Sequence, residues 1–359
     1  MAKLRYLLTA SLSIGAFAQP LRLTDIQIVG SHNSYHSGLA PSDAARLRRE
    51  NPKVFESLDY QHPPIEQQLS SGVRQIEIDV FGDSKGGLFA NPAGPRLTAK
   101  QHMPSDPPFD PAGIMTKPGF KVLHVQDLDY RSNCQPFTNC LTVVREWSKA
   151  HPGHLPIFIL IENKDSTPRP EYMVQPEKLT AATFNALDAE IRSVFAPNEL
   201  ITPDDVRGAH TTLEHAVLTD GWPTLDKARG KVIFLLDQER VTPIYTAGHR
   251  SLEGRVMFTN SKLGTPDAAF VKMNDPANPQ VPELIRKGYL VRTMTDTRDG
   301  STKRRDAALA SGAQLLSTDY PFDHKMPKSN FSVSFGSGNA RCNPVLQPKL
   351  CSAEALREK

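Results

Sequence analysis

The chain has 359 residues, 39% of them hydrophobic, with 30 prolines and 22 glycines. That apolar share supports a sizeable core and excludes global disorder, while the proline and glycine count excludes a compact helical bundle and calls for long, shaped loops. A formal charge of only +3 leaves no electrostatic footprint for nucleic acid.

The first residues read as an export signal. Met1 to Arg5 is a short basic start, and Tyr6 to Phe17 is a mostly apolar stretch. Ala16-Phe17-Ala18 supplies the small-x-small pattern of a cleavage site, which predicts a mature chain beginning at Gln19. The stretch is too short to span a bilayer. Removing residues 1–18 takes away Lys3 and Arg5 and no acid, so the formal charge falls from +3 to +1. Localisation is therefore expected to be secreted or periplasmic, with apolar contacts rather than bulk charge carrying any peripheral membrane contact.

Short apolar runs then recur at Leu23–Val29, Val73–Phe81, Lys121–Val125, Pro156–Glu162, Lys231–Asp237, Val256–Asn260, Tyr289–Thr295 and Ala313–Ser317. Most are rich in Ile, Val, Leu and Phe, as strands buried on both faces should be. Amphipathic helices are predicted between them at Pro64–Ser71, Leu141–Ala150, Glu177–Phe195, Pro282–Lys287 and Ser301–Ser311. Eight strands alternating with helices predict an α/β fold, a TIM-type (β/α)8 barrel over residues 19–331. A doubly wound open sheet is the alternative, although no Gly-rich phosphate loop follows the first strand. Residues 332–359 read as an irregular C-terminal extension. In an exported chain the four cysteines pair most simply as two local disulfides, Cys134 with Cys140 and Cys342 with Cys351.

The strand ends are unusually polar. The first strand runs into Ser31-His32-Asn33. In Gln75-Ile76-Glu77-Ile78-Asp79 the side chains alternate, so Glu77 and Asp79 share a face one pleat apart. The third run gives Leu123-His124, and the fourth ends Glu162-Asn163-Lys164. At the carboxyl rim of a parallel barrel, where active sites form, these ends converge two histidines, three carboxylates and an amide. Two buried carboxylates a pleat apart repel each other unless a cation sits between them. Oxygen ligands of this kind suit calcium or magnesium rather than zinc or copper. Two histidines beside such a metal suit acid–base work on a phosphate diester.

Taken in order, Gly30-Ser31-His32-Asn33-Ser34-Tyr35, Gln75-Ile76-Glu77-Ile78-Asp79, Leu123-His124 and Leu160-Ile161-Glu162-Asn163 resemble the catalytic region of phosphatidylinositol-specific phospholipases C. The resemblance is greatest to the calcium-dependent, secreted bacterial branch, and it thins after the fourth strand. It implies a barrel with Asn33, Glu77, Asp79 and Glu162 as calcium ligands and His32 and His124 as the catalytic pair. It also implies attack of the inositol 2-hydroxyl on phosphorus, releasing diacylglycerol and an inositol 1,2-cyclic phosphate. Arg292 resembles the family's ring-contacting arginine, while Lys164 and Asp237 are further candidates for binding the head group. With no basic cluster for a polyphosphorylated head group, phosphatidylinositol is the expected substrate and a monomer the expected state. Ser317-Thr318-Asp319 also resembles glycerophosphodiester phosphodiesterases, but His32-Asn33-Ser34 stands where those enzymes carry a His-Arg-Gly type motif. A non-catalytic lipid-binding barrel is the third reading, and the intact histidines and acids argue against it.

Other features carry less. His151-Pro152-Gly153-His154 reads as a loop into a strand, and Trp147 as a core anchor. His36, His62 and His102 lie in loops near the expected mouth and could line it, but read more simply as solvated loop histidines. Phe81, Phe89, Phe109 and Phe120 fit either a membrane-dipping rim or a private cluster beneath the long second loop.

Overall fold

The computed structural model describes residues 20–167, 172–327 and 329–358; the expected export signal lies outside them. Ten strands are present among the described residues: β1 (Ile26–Ser31), β2 (Gln75–Phe81), β3 (Lys121–Val122), β4 (Ile157–Asn163), β5 (Val232–Leu236), β6 (Met257–Thr259), β7 (Phe270–Lys272), β8 (Leu290–Met294), β9 (Leu315–Thr318) and β10 (Ala340–Cys342). Eight of them lie parallel in the order β6-β5-β4-β2-β1-β9-β8-β7. A single parallel bridge between Asn260 and Phe270 joins the two ends of that row. The result is a nearly closed TIM-type barrel.

The strand count is right, but one member of the expected set is replaced. Lys121–Val125 was expected in the barrel, yet β3 is a two-residue strand lying antiparallel on β2, with Val122 opposite Val80. The eighth barrel strand is β7, which the sequence did not reveal. Phe270-Val271-Lys272 is too short for periodicity to register. The run at 121–125 is apolar for a different reason: Leu123 is fully buried with Phe81, Phe89 and Met115 beneath the long loop after β2. That satellite core also decides the aromatic question. Phe81 packs edge-on to Phe89 at 5.1 Å, Phe120 meets Phe137 at 6.4 Å and Phe109 meets Tyr130 at 5.1 Å, so the rings face protein.

Helices form close to their expected places. Ala181–Val194 is capped by the Thr180 hydroxyl, which accepts from the Thr183 amide, and it buries Phe184, Leu187 and Ile191 against the strands. Gln280–Lys287 stops at Gly288, whose φ of 107° suits a left-handed cap. Both expected local disulfides are present, Cys134–Cys140 and Cys342–Cys351. Beyond residue 332 the chain is mostly irregular, but β10 returns to pair antiparallel with β1. No helix among the described residues is long and apolar enough to cross a membrane.

Candidate active site

Register decides which side chains meet inside the barrel. In β2, Ile76, Ile78 and Val80 join the main hydrophobic core, so Gln75, Glu77 and Asp79 take the other face. Asp79 lies opposite Glu162 in β4, and Leu160 opposite Leu235 in β5. Two residues beyond those partners stand Lys164 and Asp237. On the other side Gly30 pairs with Gln75 and with Ser317, and Ser317 with Met294. His32, Asp319 and Arg292 therefore share the same parity. Gly30 suits this crossing, because a Cβ there would lie 2.8 Å from the Gln75 Cβ.

β1 ends at Ser31 and turns, which lets two consecutive residues serve one mouth. Asn33 takes φ 47°, a left-handed conformation that Asn tolerates better than most residues. Its Nδ2 donates to the Tyr60 hydroxyl at 2.7 Å, while its buried Oδ1 has no hydrogen-bond partner. The Asp79 Oδ1 is buried and unpartnered too. Ligand oxygens of Glu77, Asp79 and Glu162 lie within 4.8 Å of one another. An orphaned amide oxygen beside three clustered carboxylates is a donor set suited to a hard cation such as calcium.

Cationic side chains already balance part of this charge. The Lys164 ammonium stands 2.9 Å from Asp79 and 2.8 Å from Glu162. Arg292 donates to Glu77 Oε2 and to the Ser317 hydroxyl, both at 2.9 Å, and to Asn274. Burial pushes the Asp79 carboxyl up to about 6 in spite of Lys164. Burial acts the same way on Glu162, but there Lys164 prevails and holds the pKa below the ordinary value. Asp237 is buried and bound to Lys272 at 2.5 Å.

Each histidine is held by its own carboxylate. His32 Nδ1 donates to Asp319 at 2.8 Å, and His124 Nδ1 donates to Asp129 at 2.8 Å. Both arrangements leave Nε2 free of that bond. The His32 Nε2 lies 3.7 Å from Glu77. The surrounding protein works against a charged His32 ring, but Glu77 and then Asp319 outweigh it and raise its pKa to about 9. Burial likewise opposes the Asp129 carboxylate, yet bonds from His124 and His36 keep its pKa below the usual range.

All nine residues singled out from the sequence fall around this mouth. His124 arrives on the β3 hairpin turn rather than at a barrel strand end. Asp319 and Asp129 were not identified as site residues, although each left a signal. Asp319 follows the last strand, which neighbours the first in a closed barrel, and Asp129 lies five residues beyond His124. Two expectations need correcting: His36 and His62 are not solvated. His36 is fully buried against Asp129, and His62 is 5% exposed with its Nε2 on the His32 carbonyl. His102 is exposed as expected.

Two carboxylate-backed histidines and an acidic cluster thus meet at one end of a parallel barrel. Solved structures share this fold. One is the calcium-dependent phosphoinositol-specific phospholipase C of a Pseudomonas species, 16% identical over 90% of this chain and 95% of that one, with a TM-score of 0.56. Another is the Ca2+-dependent phosphatidylinositol-specific phospholipase C of Streptomyces antibioticus, 19% identical over 83% of this chain and 95% of that one, with a TM-score of 0.53. The family model for phosphoinositide phospholipase C, Ca2+-dependent, matches residues 21–344, and the chain belongs to that family. No match was found among curated proteins.

Proposed function

We propose that this protein is an exported phospholipase C cleaving phosphatidylinositol, with calcium held by Asn33, Glu77, Asp79 and Glu162 and protons moved by His32 and His124. The observation that carries this reading is the pair of histidines, each fixed through Nδ1 by an aspartate, beside an acidic cluster with an unpartnered amide oxygen. Calcium bound there would stabilise negative charge on phosphate oxygens and lower the pKa of the attacking hydroxyl.

The residues divide the remaining work. His32 Nε2 accepts the proton of the inositol 2-hydroxyl as that oxygen attacks phosphorus. A cation held by Glu77 would weaken that acid's pull on the His32 ring and favour the neutral form a base needs. His124 Nε2 gives a proton to the departing diacylglycerol oxygen. Asp319 and Asp129 hold the rings in the tautomer that presents Nε2. Arg292, Lys164 and Asp237 line the cleft for the inositol phosphate. The product of this step is an inositol 1,2-cyclic phosphate, which water then opens.

Export is supported by the two disulfides, which fit an oxidising compartment. Membrane contact is supported by Tyr172, 54% exposed on the loop following β4.

The test is cleavage of phosphatidylinositol vesicles with calcium and with chelator, followed by phosphorus NMR of the soluble product. A cyclic phosphate formed only with calcium is expected. Unchanged turnover in chelator would remove the metal role. Equal cleavage of a diester lacking a hydroxyl next to phosphorus would point to a glycerophosphodiesterase instead.

A further inference from the structure

We infer that His36 is a positioning residue for His124, acting through Asp129. The inference rests on the reading of His124 as a proton donor given above. Asp129 Oδ2 accepts two hydrogen bonds, from His124 Nδ1 at 2.8 Å and from His36 Nε2 at 2.7 Å. Asp129 Oδ1 is buried and accepts none. The carboxylate is therefore directed entirely through one oxygen. With His124 as its sole side-chain donor, it could swing about Cβ–Cγ and carry the imidazole with it. A second donor on the same oxygen removes that freedom.

His36 is placed for this task and for little else. Its ring is fully buried, stacked on Tyr60 at 4.3 Å between centroids and edge-on to His124 at 5.8 Å. Its Nδ1 has no partner, so Nε2 makes its one side-chain bond. The backbone around it is pinned too: His36 bridges Ser132, and the Asn133 amide donates to the Tyr35 carbonyl. The segment carrying Asp129 thus lies against the segment carrying His36. Tyr60, on the far side of the His36 ring, accepts from the Asn33 amide. One packed line runs from His124 through Asp129, His36 and Tyr60 to Asn33. A buried polar network of this kind is stable only when its members stay mutually satisfied.

Two variants separate positioning from packing. His36→Phe keeps a ring to stack on Tyr60 and loses the donor; His36→Gln keeps a donor near the Nε2 position and loses the ring. H36F is expected to lower kcat about tenfold to fiftyfold, with KM and the half-saturating calcium within twofold, as loss of a transition-state alignment should. H36Q is expected to stay within about threefold of wild type, whatever its thermal midpoint. A merely structural histidine predicts the reverse order, with losses that track the midpoint, and that result would overturn the inference. A second readout needs no turnover. In protein labelled with 15N-histidine, wild type should show two solvent-protected ring protons, on His36 Nε2 and His124 Nδ1. H36F should lose the protection of the His124 proton, and H36Q should keep it. Absence of either proton in wild type overturns the inference even if neither variant folds. Failure to cleave phosphatidylinositol with both protons present tells against the phospholipase reading and not against this one.

Discussion

Asp319 holds the ring of His32 from the end of a strand that is last in the barrel sequence and next to the first in space. The bond, 2.8 Å from His32 Nδ1, exists because β9 pairs with β1 and sets Ser31 opposite Thr318. Asp319 is itself fixed, since its backbone amide donates to Asp296 at 2.5 Å. Asp296 also accepts from the Thr295 and Thr318 hydroxyls. Burial, and after it the nearby Asp319, raises Asp296 to about 6.

Asp319→Asn should therefore cost turnover rather than binding. The amide can present Nδ2 to His32 and turn the imidazole to the wrong tautomer, which removes the free Nε2 acceptor. A fall of about 10²-fold or more in kcat, with KM within a few-fold, is the expected outcome in steady-state assays on phosphatidylinositol vesicles. A variant with wild-type kcat would show that the pair does not orient the base.

Away from the mouth, His154 predicts how stability responds to acid. It is 1% exposed and bonded to the Ser148 hydroxyl and the Leu155 carbonyl, with Arg74 and Glu358 nearby. Burial lowers its pKa from 6.5 to about 4, and Arg74 contributes in the same direction. Between those two values the unfolded chain binds more protons than the folded one, so stability falls as pH falls. The contribution is fully present above pH 6.5 and should lose ~2 kcal/mol by pH 5. His62, lowered to about 3 chiefly by burial, acts in the same direction. Urea unfolding at pH 7 and pH 5 checks this: His154→Gln should lose less on acidification than wild type. Parallel losses in the two proteins would discard the assignment to His154.

The acidic half of the site was legible because strand alternation is a local rule. Glu77-Ile78-Asp79 and Glu162-Asn163-Lys164 place their charges by counting alone, and the barrel then brings Asp79 opposite Glu162. What local rules miss is pairing across distance. The separation of 287 positions between His32 and Asp319 closes only when β9 returns to β1, and nothing local to either residue names the other as its partner. His36 and His62 failed for another reason. A loop residue is assumed to be wet, yet here His36 is bonded to Asp129 and stacked on Tyr60, and His62 packs against Tyr60 and His324. Strand β7 was illegible because its three residues give no period to read.

The two disulfides should behave differently when removed. Cys134–Cys140 closes a short loop directly after the segment whose Ser132 and Asn133 lie against His36 and Tyr35, and so anchors one end of the stretch that carries Asp129. Cys342–Cys351 closes a loop next to β10, on the flank of β1. Each loop is short, so each bond should contribute about 2–3 kcal/mol. Replacing Cys134 and Cys140 together by Ser should lower kcat as well as the thermal midpoint. Replacing Cys342 and Cys351 should lower the midpoint and leave kcat within about twofold at 25 °C. Equal effects on kcat would mean that the first disulfide holds the fold and not the histidine segment.

Lys164 offers the sharpest separation of metal binding from catalysis. Its ammonium sits 2.9 Å from Asp79 and 2.8 Å from Glu162, within the cluster that would hold the cation. Burial opposes its charge, yet those two acids raise its pKa well above the ordinary lysine value. It is therefore a resident cation competing for the same oxygens. Lys164→Met keeps the length of the side chain and removes the charge. Calcium should then bind more tightly, by about five- to tenfold, because a partly buried like charge near a cation costs on the order of 1 kcal/mol. Turnover at saturating calcium should nonetheless fall if the same ammonium also binds the substrate phosphate, as proposed above. Isothermal titration of calcium, run beside the vesicle assay, reads the two effects separately. Weaker calcium binding in K164M would mean that the lysine orients Asp79 and Glu162 rather than competing for them.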